Sequence, residues 1–368
     1  MSTDQFTDLT LETLFRPFSE GLLAWPEGGA LFLRARDGAP LHQQALPGLI
    51  CEQTFKPDAD ALKRAGLSVN PSTDTAAPHI YPLVLVLPPR QRDEARALLA
   101  RAVSLTQAGG RVLACISNNE GARSGEADLE KLVGPVSTLS KHKCRVFWSA
   151  PLHDQVDTHL LQQWLTLDAV RPIGDARFVS RPGVFAWDRI DPASVLLAQH
   201  LPRELNGRAA DLGAGFGYLS VELLSRCAGI AALDVYEAES RALELARQNL
   251  SNFAAGKSPS IPIRYHWHDV TSGLLGAYDV IVSNPPFHTQ SRADRPDIGR
   301  RFISAAAEAL NPGGCLWLVA NRHLPYEEVL NSSFGHTRIV AQQDGFKIVM
   351  ATKTASAVHR HERSRSRR

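Results

Sequence analysis

The sequence predicts an α/β protein built as two tandem open sheets with helices on both faces, the first a worn copy of the second. Three observations carry this prediction. The C-terminal half alternates apolar strand-like runs with amphipathic helical runs. Part of the N-terminal half repeats the same order. The 368 residues are too many for one core, since single hydrophobic cores stop growing at roughly 250–300 residues. A composition of 44% hydrophobic and 21% charged residues excludes a disordered or fibrous chain.

In the second half, RAADLGAG reads as a strand entering a glycine turn, YLSVELLSRC as a helix, IAALDVY as a strand and ESRALELARQNLSNF as a helix of 3.6 periodicity. IRYHWHDV then reads as a strand and YDVIVSNPPF as a buried strand ending in a turn. IGRRFISAAAEALN is a helix closed by Pro312 and Gly313, and CLWLVAN is the next strand. Strands alternating with helices imply a parallel sheet covered on both faces. TRIVAQQDGFKIVMATK breaks the pattern, because two β-rich runs joined across QDG signal a hairpin.

The first half holds LVLVLPPRQ, then DEARALLARAVSLTQAGG, then RVLACISNN, which mirror DVIVSNPPF, the helix up to LNPGG, and CLWLVANRH. This copy has Leu87 before its paired prolines where the second has Asn284. It also has no acidic residue before a glycine cluster, so it is expected to be catalytically silent. The sequence changes character after Pro172, giving expected domains of 1–172 and 173–355, followed by a basic tail over 356–368.

Other classes are excluded. No apolar run reaches the roughly 20 residues needed to span a bilayer. The N-terminus lacks the basic start and apolar stretch of a signal peptide, so a cytoplasmic location is expected. Cys51, Cys115, Cys144, Cys227 and Cys315 are scattered without a CxxC pair, which argues against zinc or redox work and for small buried apolar residues. Net charge is only +2, but the last ten residues carry five Arg against one Glu. That tail is either a solvated end or a non-specific grip on phosphates.

The chemistry concentrates in DLGAGFGYLS, where Gly213, Gly215 and Gly217 let the backbone turn sharply and approach a ligand. Such glycines serve dinucleotides and S-adenosylmethionine alike. Asp211 discriminates, because a carboxylate there would repel a pyrophosphate yet suit the cationic amino-acid end of S-adenosylmethionine. Asp234 is read as the end of the next strand, where a carboxylate can take both ribose hydroxyls. Asp269, after the following strand, is placed to meet the adenine amino group or to cap the strand, and His268 beside it is a weaker candidate.

SNPPF supplies the acceptor side. Pro285 and Pro286 lack backbone donors and restrict their neighbours, so the Asn284 side chain and the Pro285 carbonyl form a rigid pair of acceptors. Two acceptors can hold an exocyclic amino group in line with a sulfonium methyl, and Phe287 offers a face for a planar base. Alternatively, Asn284 caps a turn and Phe287 fills the core.

An open sheet ending in an antiparallel pair has the shape of class I methyltransferases, so both halves are expected to be Rossmann-like domains of that class. RPGVFAWDRIDPASVLL, DLGAGFG, SNPPFH and VANRHLPYEEVLNSSFG together resemble the bacterial ribosomal RNA guanine-N2 methyltransferases of the RsmC and RlmG type. The resemblance covers most of the chain, including its degenerate first half. It implies that Asp211, Gly213, Gly215 and Asp234 bind S-adenosylmethionine and that Asn284, Pro285, Pro286 and Phe287 accept the guanine. It further implies ribosomal RNA or the 30S subunit as partner and an N-terminal domain that assists folding and RNA contact; a monomer without a metal is expected. PGVF and LPYEEVL favour the 16S enzyme, with the 23S enzyme as the alternative. Adenine-N6 and protein glutamine methyltransferases share the NPPF logic, and an RNA-binding protein without turnover is the non-enzyme alternative. Ala214 and Phe216 depart from the Cys and Asn frequent in relatives.

Overall fold

A computed structural model of the chain describes residues 8–70, 81–251, 253, 261–286 and 296–354. The chain packs as two compact units, one of Met1–Arg189 with Ala238–Leu245, the other of Ile190–Glu237 with Ala246–Arg368.

The first unit runs α1 (Leu9–Ser19), β1 (Ala30–Leu33), β2 (Leu49–Glu52), α2 (Lys56–Arg64), β3 (Ser68–Asn70), β4 (Tyr81–Val86), α3 (Arg92–Leu105), β5 (Thr106–Ser117), α4 (Ala122–Val133), β6 (Val136–Lys141), β7 (Cys144–Ser149) and α5 (Thr158–Leu165). Its seven-stranded sheet has the order β3-β2-β1-β4-β5-β7-β6. Leu31, Val84 and Val112 meet α3, α4 and α5 on one face, while Phe32, Leu85 and Leu113 meet α1 and α2 on the other. Burial on both faces explains why these strands read as unbroken apolar runs. A hairpin of β8 (Arg171–Ile173) and β9 (Phe178–Ser180) ends the unit.

From Ile190 the chain runs α6 (Pro192–His200), β10 (Asn206–Leu212), α7 (Tyr218–Arg226), β11 (Gly229–Glu237), α8 (Ser240–Asn249), β12 (Ile263–Trp267), β13 (Tyr278–Ser283), α9 (Pro296–Ala309), β14 (Leu310–Asn321), α10 (Glu327–Ser333), β15 (His336–Gln343) and β16 (Phe346–Thr352). The second sheet, β12-β11-β10-β13-β14-β16-β15, has the same topology as the first. The strands are parallel except around β16, which runs antiparallel to both neighbours. The expected hairpin turns on Asp344 and Gly345, with φ of 51° and 82°, the pair of positive values that a two-residue type I′ turn requires.

Two irregularities recur in both sheets and strengthen the case for duplication. Between Tyr278↔Leu310 and Val280↔Cys315 the strand β14 bulges out, and β5 does the same between Tyr81↔Thr106 and Leu83↔Arg111. The turn between β6 and β7 is a two-residue loop like that between β15 and β16, with His142 and Lys143 at φ 51° and 58°. The bulge corrects one expectation. Pro312 and Gly313 do not close the helix, which ends at Ala309; they lie in the bulge at the start of β14. Gly313, at φ 84°, allows the excursion that a side chain would resist.

The division between units also differs from the expected residue 173. The β8–β9 hairpin groups with the first unit, where Arg181 Nε donates to the Asp168 carbonyl at 3.0 Å. Ala238–Leu245 joins that unit too: Ser240 N donates to Thr54 O at 2.9 Å, and Lys56 N to Ala238 O at 2.8 Å. Arg241 pairs there with Glu94 at 2.8 Å. Sequence periodicity carries no trace of such long-range bonds.

Tyr326, wholly buried, lies so close to Gly299 on α9 that a Cβ at Gly299 would overlap its phenol ring and hydroxyl. Gly299→Ala is expected to lower stability by about 1–3 kcal/mol through overpacking, measured as a shift in the denaturant midpoint at unchanged m.

Candidate active site

The site is assembled where the strand order reverses, at the carboxyl ends of β10, β11 and β13, the general ligand position in open α/β sheets. Parallel pairing sets Leu212 beside Tyr236 on one side and Ser283 on the other. Ser283 Oγ donates to Leu212 O at 2.8 Å and locks the two strand ends together. Gly213 and Asn284, the residues that follow, therefore leave the sheet side by side.

The glycine turn is held from β11 and α8. Gly213 N and Ala214 N donate to Tyr236 O at 2.9 and 3.0 Å, Gly215 N donates to Glu237 Oε2 at 2.8 Å, and Asn249 Nδ2 donates to Phe216 O at 2.8 Å. Gly213, Gly215 and Gly217 have φ of 70°, 57° and 89°. A Cβ at Gly217 would press on Ala246 at 3.1 Å, whereas one at Gly215 would meet nothing within 4 Å. Gly217 is thus required by packing against the next helix, and Gly215 leaves open space at the turn.

Asp211 is fully buried, and its Oδ2 accepts from Ser220 Oγ on α7 at 2.7 Å. Its Oδ1 has no partner among the described residues. Burial pushes the carboxyl up to about 7, against the opposing hydrogen bonds from Ser220 and with a further push from the charge of Glu237. A buried carboxylate short of one bond favours a cationic or hydrogen-bonding ligand.

Asp234 departs from its expected place. β11 continues to Glu237, so Asp234 lies three residues inside the strand, 2% exposed. Tyr278 Oη donates to its Oδ2 at 2.7 Å, and Arg208 forms an ion pair with the same oxygen. His266 stands 3.6 Å from Oδ1. Burial raises its carboxyl, but Tyr278, Arg208 and His266 outweigh that and hold it below the usual carboxylate range. Asp234 is a structural ion pair in the sheet. The acidic residue at the strand's ligand end is Glu237, which sequence reasoning missed because the apolar run IAALDVY hides how far the strand extends.

Asp269 caps a short turn after β12, its Oδ1 accepting from Thr271 N at 2.9 Å and Thr271 Oγ1 at 2.7 Å. His268 Nε2 lies 2.7 Å from Gly273 O, and its backbone N donates to Glu237 O at 2.9 Å. Both residues flank the same end of the sheet as Glu237.

On the acceptor side, Asn284 is half-buried. Its Nδ2 donates to Asp191 Oδ2 and to Ser194 Oγ, both at 2.9 Å. No partner for its Oδ1 occurs among the described residues. Pro285 is buried and Pro286 exposed. Phe287, expected to face the base, and the neighbouring His288 lie outside the described residues, as does the basic tail. Asp191 and Ser194 were not singled out from the sequence, although DPAS before an apolar run is a helix-start signal.

Register pairs each of these positions with one in the first unit. Phe32 stands where Asp211 does, Arg34 where Gly213 does, Gln53 where Glu237 does and Leu87 where Asn284 does. Gln53 Nε2 donates to Ala35 O at 2.6 Å, consuming the place of the carboxylate. The first unit keeps the fold and lacks these four groups.

Comparison with known proteins identifies the family. Residues 175–350 match the family model of the methyltransferase small domain. The chain is 29% identical to ribosomal RNA small subunit methyltransferase C of Serratia proteamaculans over 72% of each. It is 30% identical to that of Salmonella choleraesuis, over 73% of this chain and 75% of the relative. The chain belongs to the ribosomal RNA small subunit methyltransferase C family. A solved structure, the Thermus thermophilus 16S rRNA N2 G1207 methyltransferase in complex with AdoMet and guanosine, matches with a TM-score of 0.75 over 95% of this chain and 92% of that one. At 24% identity, that likeness shows that this member of the family shares the two-domain fold.

Among the described residues no helix is long and apolar enough to cross a membrane, and no group of three or more His, Cys, Asp or Glu is placed to hold a metal ion. Asp211 makes stability pH-dependent. Its folded value of about 7 lies above the ordinary 3.8, so the folded state holds a proton that the unfolded chain has released. Stability is therefore expected to fall as pH rises from about 4 through about 7, and Asp211→Asn should flatten that slope in a series of denaturation curves across this range.

Proposed function

We propose that the second unit transfers a methyl group from S-adenosylmethionine to the exocyclic N2 of a guanine in 16S ribosomal RNA. The observation that carries this reading is the Asn284 amide, held by its nitrogen beside the glycine turn so that its oxygen is presented at the ligand end of the sheet. Family membership supports the substrate class, as does the Thermus relative, whose structure contains AdoMet and guanosine.

The residues present fit the cofactor. The orphaned Oδ1 of Asp211 suits a hydrogen-bonding, cationic amino-acid group, and the open space at Gly215 admits a ligand against bare backbone. Glu237 would take the ribose hydroxyls in place of Asp234, and Asp269 would lie toward the adenine. When bound, S-adenosylmethionine supplies an electrophilic methyl on a sulfonium.

The chain's own contribution is orientation. Asn284 Oδ1 and the Pro285 carbonyl accept the two N2 hydrogens and turn the nitrogen lone pair toward the methyl. These acceptors strengthen their hold as positive charge develops on the nitrogen. Pro285 and Pro286 keep the pair rigid, since neither can rotate about φ. The N–C bond forms as the S–C bond breaks, and N2 then loses one proton to solvent. Phe287 remains proposed as the stacking face for the base. Action as a monomer is part of the same reading. The first unit would be catalytically silent and serve folding and RNA contact, in the cytoplasm where ribosomal RNA is modified.

Nucleoside mass spectrometry of 16S and 23S RNA from cells with and without the protein tests the assignment. Loss of one N2-methylguanosine from 16S is the expected result, and an unchanged 16S profile overturns it. Asn284→Ala is expected to abolish transfer with cofactor affinity almost unchanged. Glu237→Ala should weaken cofactor binding by about tenfold or more, by loss of a charged hydrogen-bond acceptor. Asp234→Asn should instead lower stability with little change in that affinity; titration calorimetry with S-adenosylhomocysteine distinguishes the two.

A further inference from the structure

We infer that Asp191 and Ser194 are positioning residues that set the direction and the acceptor strength of the Asn284 amide. This inference rests on the reading of Asn284 as the group that receives the acceptor amine. An asparagine amide has two nearly isosteric ends, one donating and one accepting. Turned the wrong way, Asn284 would present N–H groups to an amine that itself needs acceptors. Something must therefore select the orientation.

The selection is made at the start of α6. Asp191 is the N-cap of this helix, and its Oδ2 accepts from Ser194 N at 2.8 Å. The same oxygen accepts from Asn284 Nδ2 at 2.9 Å, and Ser194 Oγ takes a further bond from that nitrogen at 2.9 Å. An ionised carboxylate can only accept, so the NH₂ end faces it and Oδ1 faces away. Because the cap bond fixes the carboxylate and the helix fixes Ser194, which is only 7% exposed, the amide is clamped by the start of α6.

Charge adds to orientation. Donation from Nδ2 to an anion draws the amide nitrogen lone pair toward the carbonyl and increases the negative charge on Oδ1. That charge is most useful when N2 becomes cationic, so the effect belongs to turnover rather than to binding. Asp191 thus works through Asn284 without touching the substrate. The pairing spans 93 positions in sequence.

Two variants separate this role from helix capping. Asparagine caps as well as aspartate, so Asp191→Asn keeps α6 and a neutral acceptor but removes the charge. Asp191→Ala removes cap, acceptor and charge together. With 16S RNA as substrate, Asp191→Ala should lower kcat about 100-fold, the scale expected for a misplaced reacting group. Asp191→Asn should recover about tenfold of that loss, reflecting an acceptor kept without its charge. The Kd for S-adenosylhomocysteine should stay within about twofold in both. Ser194→Ala, which keeps the backbone cap, should lower kcat with cofactor affinity likewise unchanged.

The side-chain amide resonances of Asn284, assigned by their loss in Asn284→Ala, read the clamp without any reaction. They should be shifted and slow to exchange in the wild type and lose both properties in Asp191→Ala. Unchanged resonances overturn the inference whether or not the wild type methylates 16S RNA. Unchanged kcat in Asp191→Ala, or equal loss of kcat and cofactor affinity, also overturns it. An inactive wild type with resonances that respond as expected would instead overturn the proposed reaction and leave the clamp supported.

Discussion

The pairing of β10 with β13, closed by the hydrogen bond from Ser283 to Leu212, is the constraint on which the functional half depends. These strands are 71 positions apart at that bond, and they meet only because the crossovers build outward from β10 in both directions. Their adjacency brings the two loops that follow them side by side. One loop is made of glycines that yield space, the other of prolines that withhold motion. In the proposed reaction the cofactor uses the first property and the acceptor amine the second.

Charge is distributed around these loops according to burial. Asp211 and Asp234 are both buried in the sheet, yet they are pushed in opposite directions because only Asp234 has a cation and a phenol to receive it. A fully matched carboxylate stabilises the fold and has little left to offer a ligand. A carboxylate with one oxygen unmatched costs stability and offers that oxygen to whatever binds. The same reasoning separates Asn284, whose nitrogen is committed and whose oxygen has no partner among the described residues, from an ordinary turn-capping asparagine.

The two sheets show how little of a fold is concerned with chemistry. Their strand orders agree, their bulges fall in corresponding strands and their hairpins turn in two residues. The replacements Phe32, Arg34, Gln53 and Leu87 fall in or just after the last residues of the strands, and Phe32 and Leu87 join the hydrophobic core there. Stability comes from the apolar faces of the strands, so the fold can be kept while the residues just beyond them change.

The sequence by itself determined the α/β class, the duplication, the terminal hairpin and the two loops that carry Gly213 and Asn284. Each of these leaves a local mark, whether a periodicity, a Gly or Pro cluster or a repeated string. Only the tertiary structure decided what depends on distant partners. It moved the strand end from Asp234 to Glu237, since a strand stops where its neighbours stop pairing, and no local signal marks that point. It absorbed Pro312 and Gly313 into a bulge and drew Ala238–Leu245 into the first unit. It brought Asp191 and Ser194 to the Asn284 amide, and with them the direction in which that amide faces. The sequence names the groups that can react; hydrogen bonds between residues far apart in the chain decide which way they point.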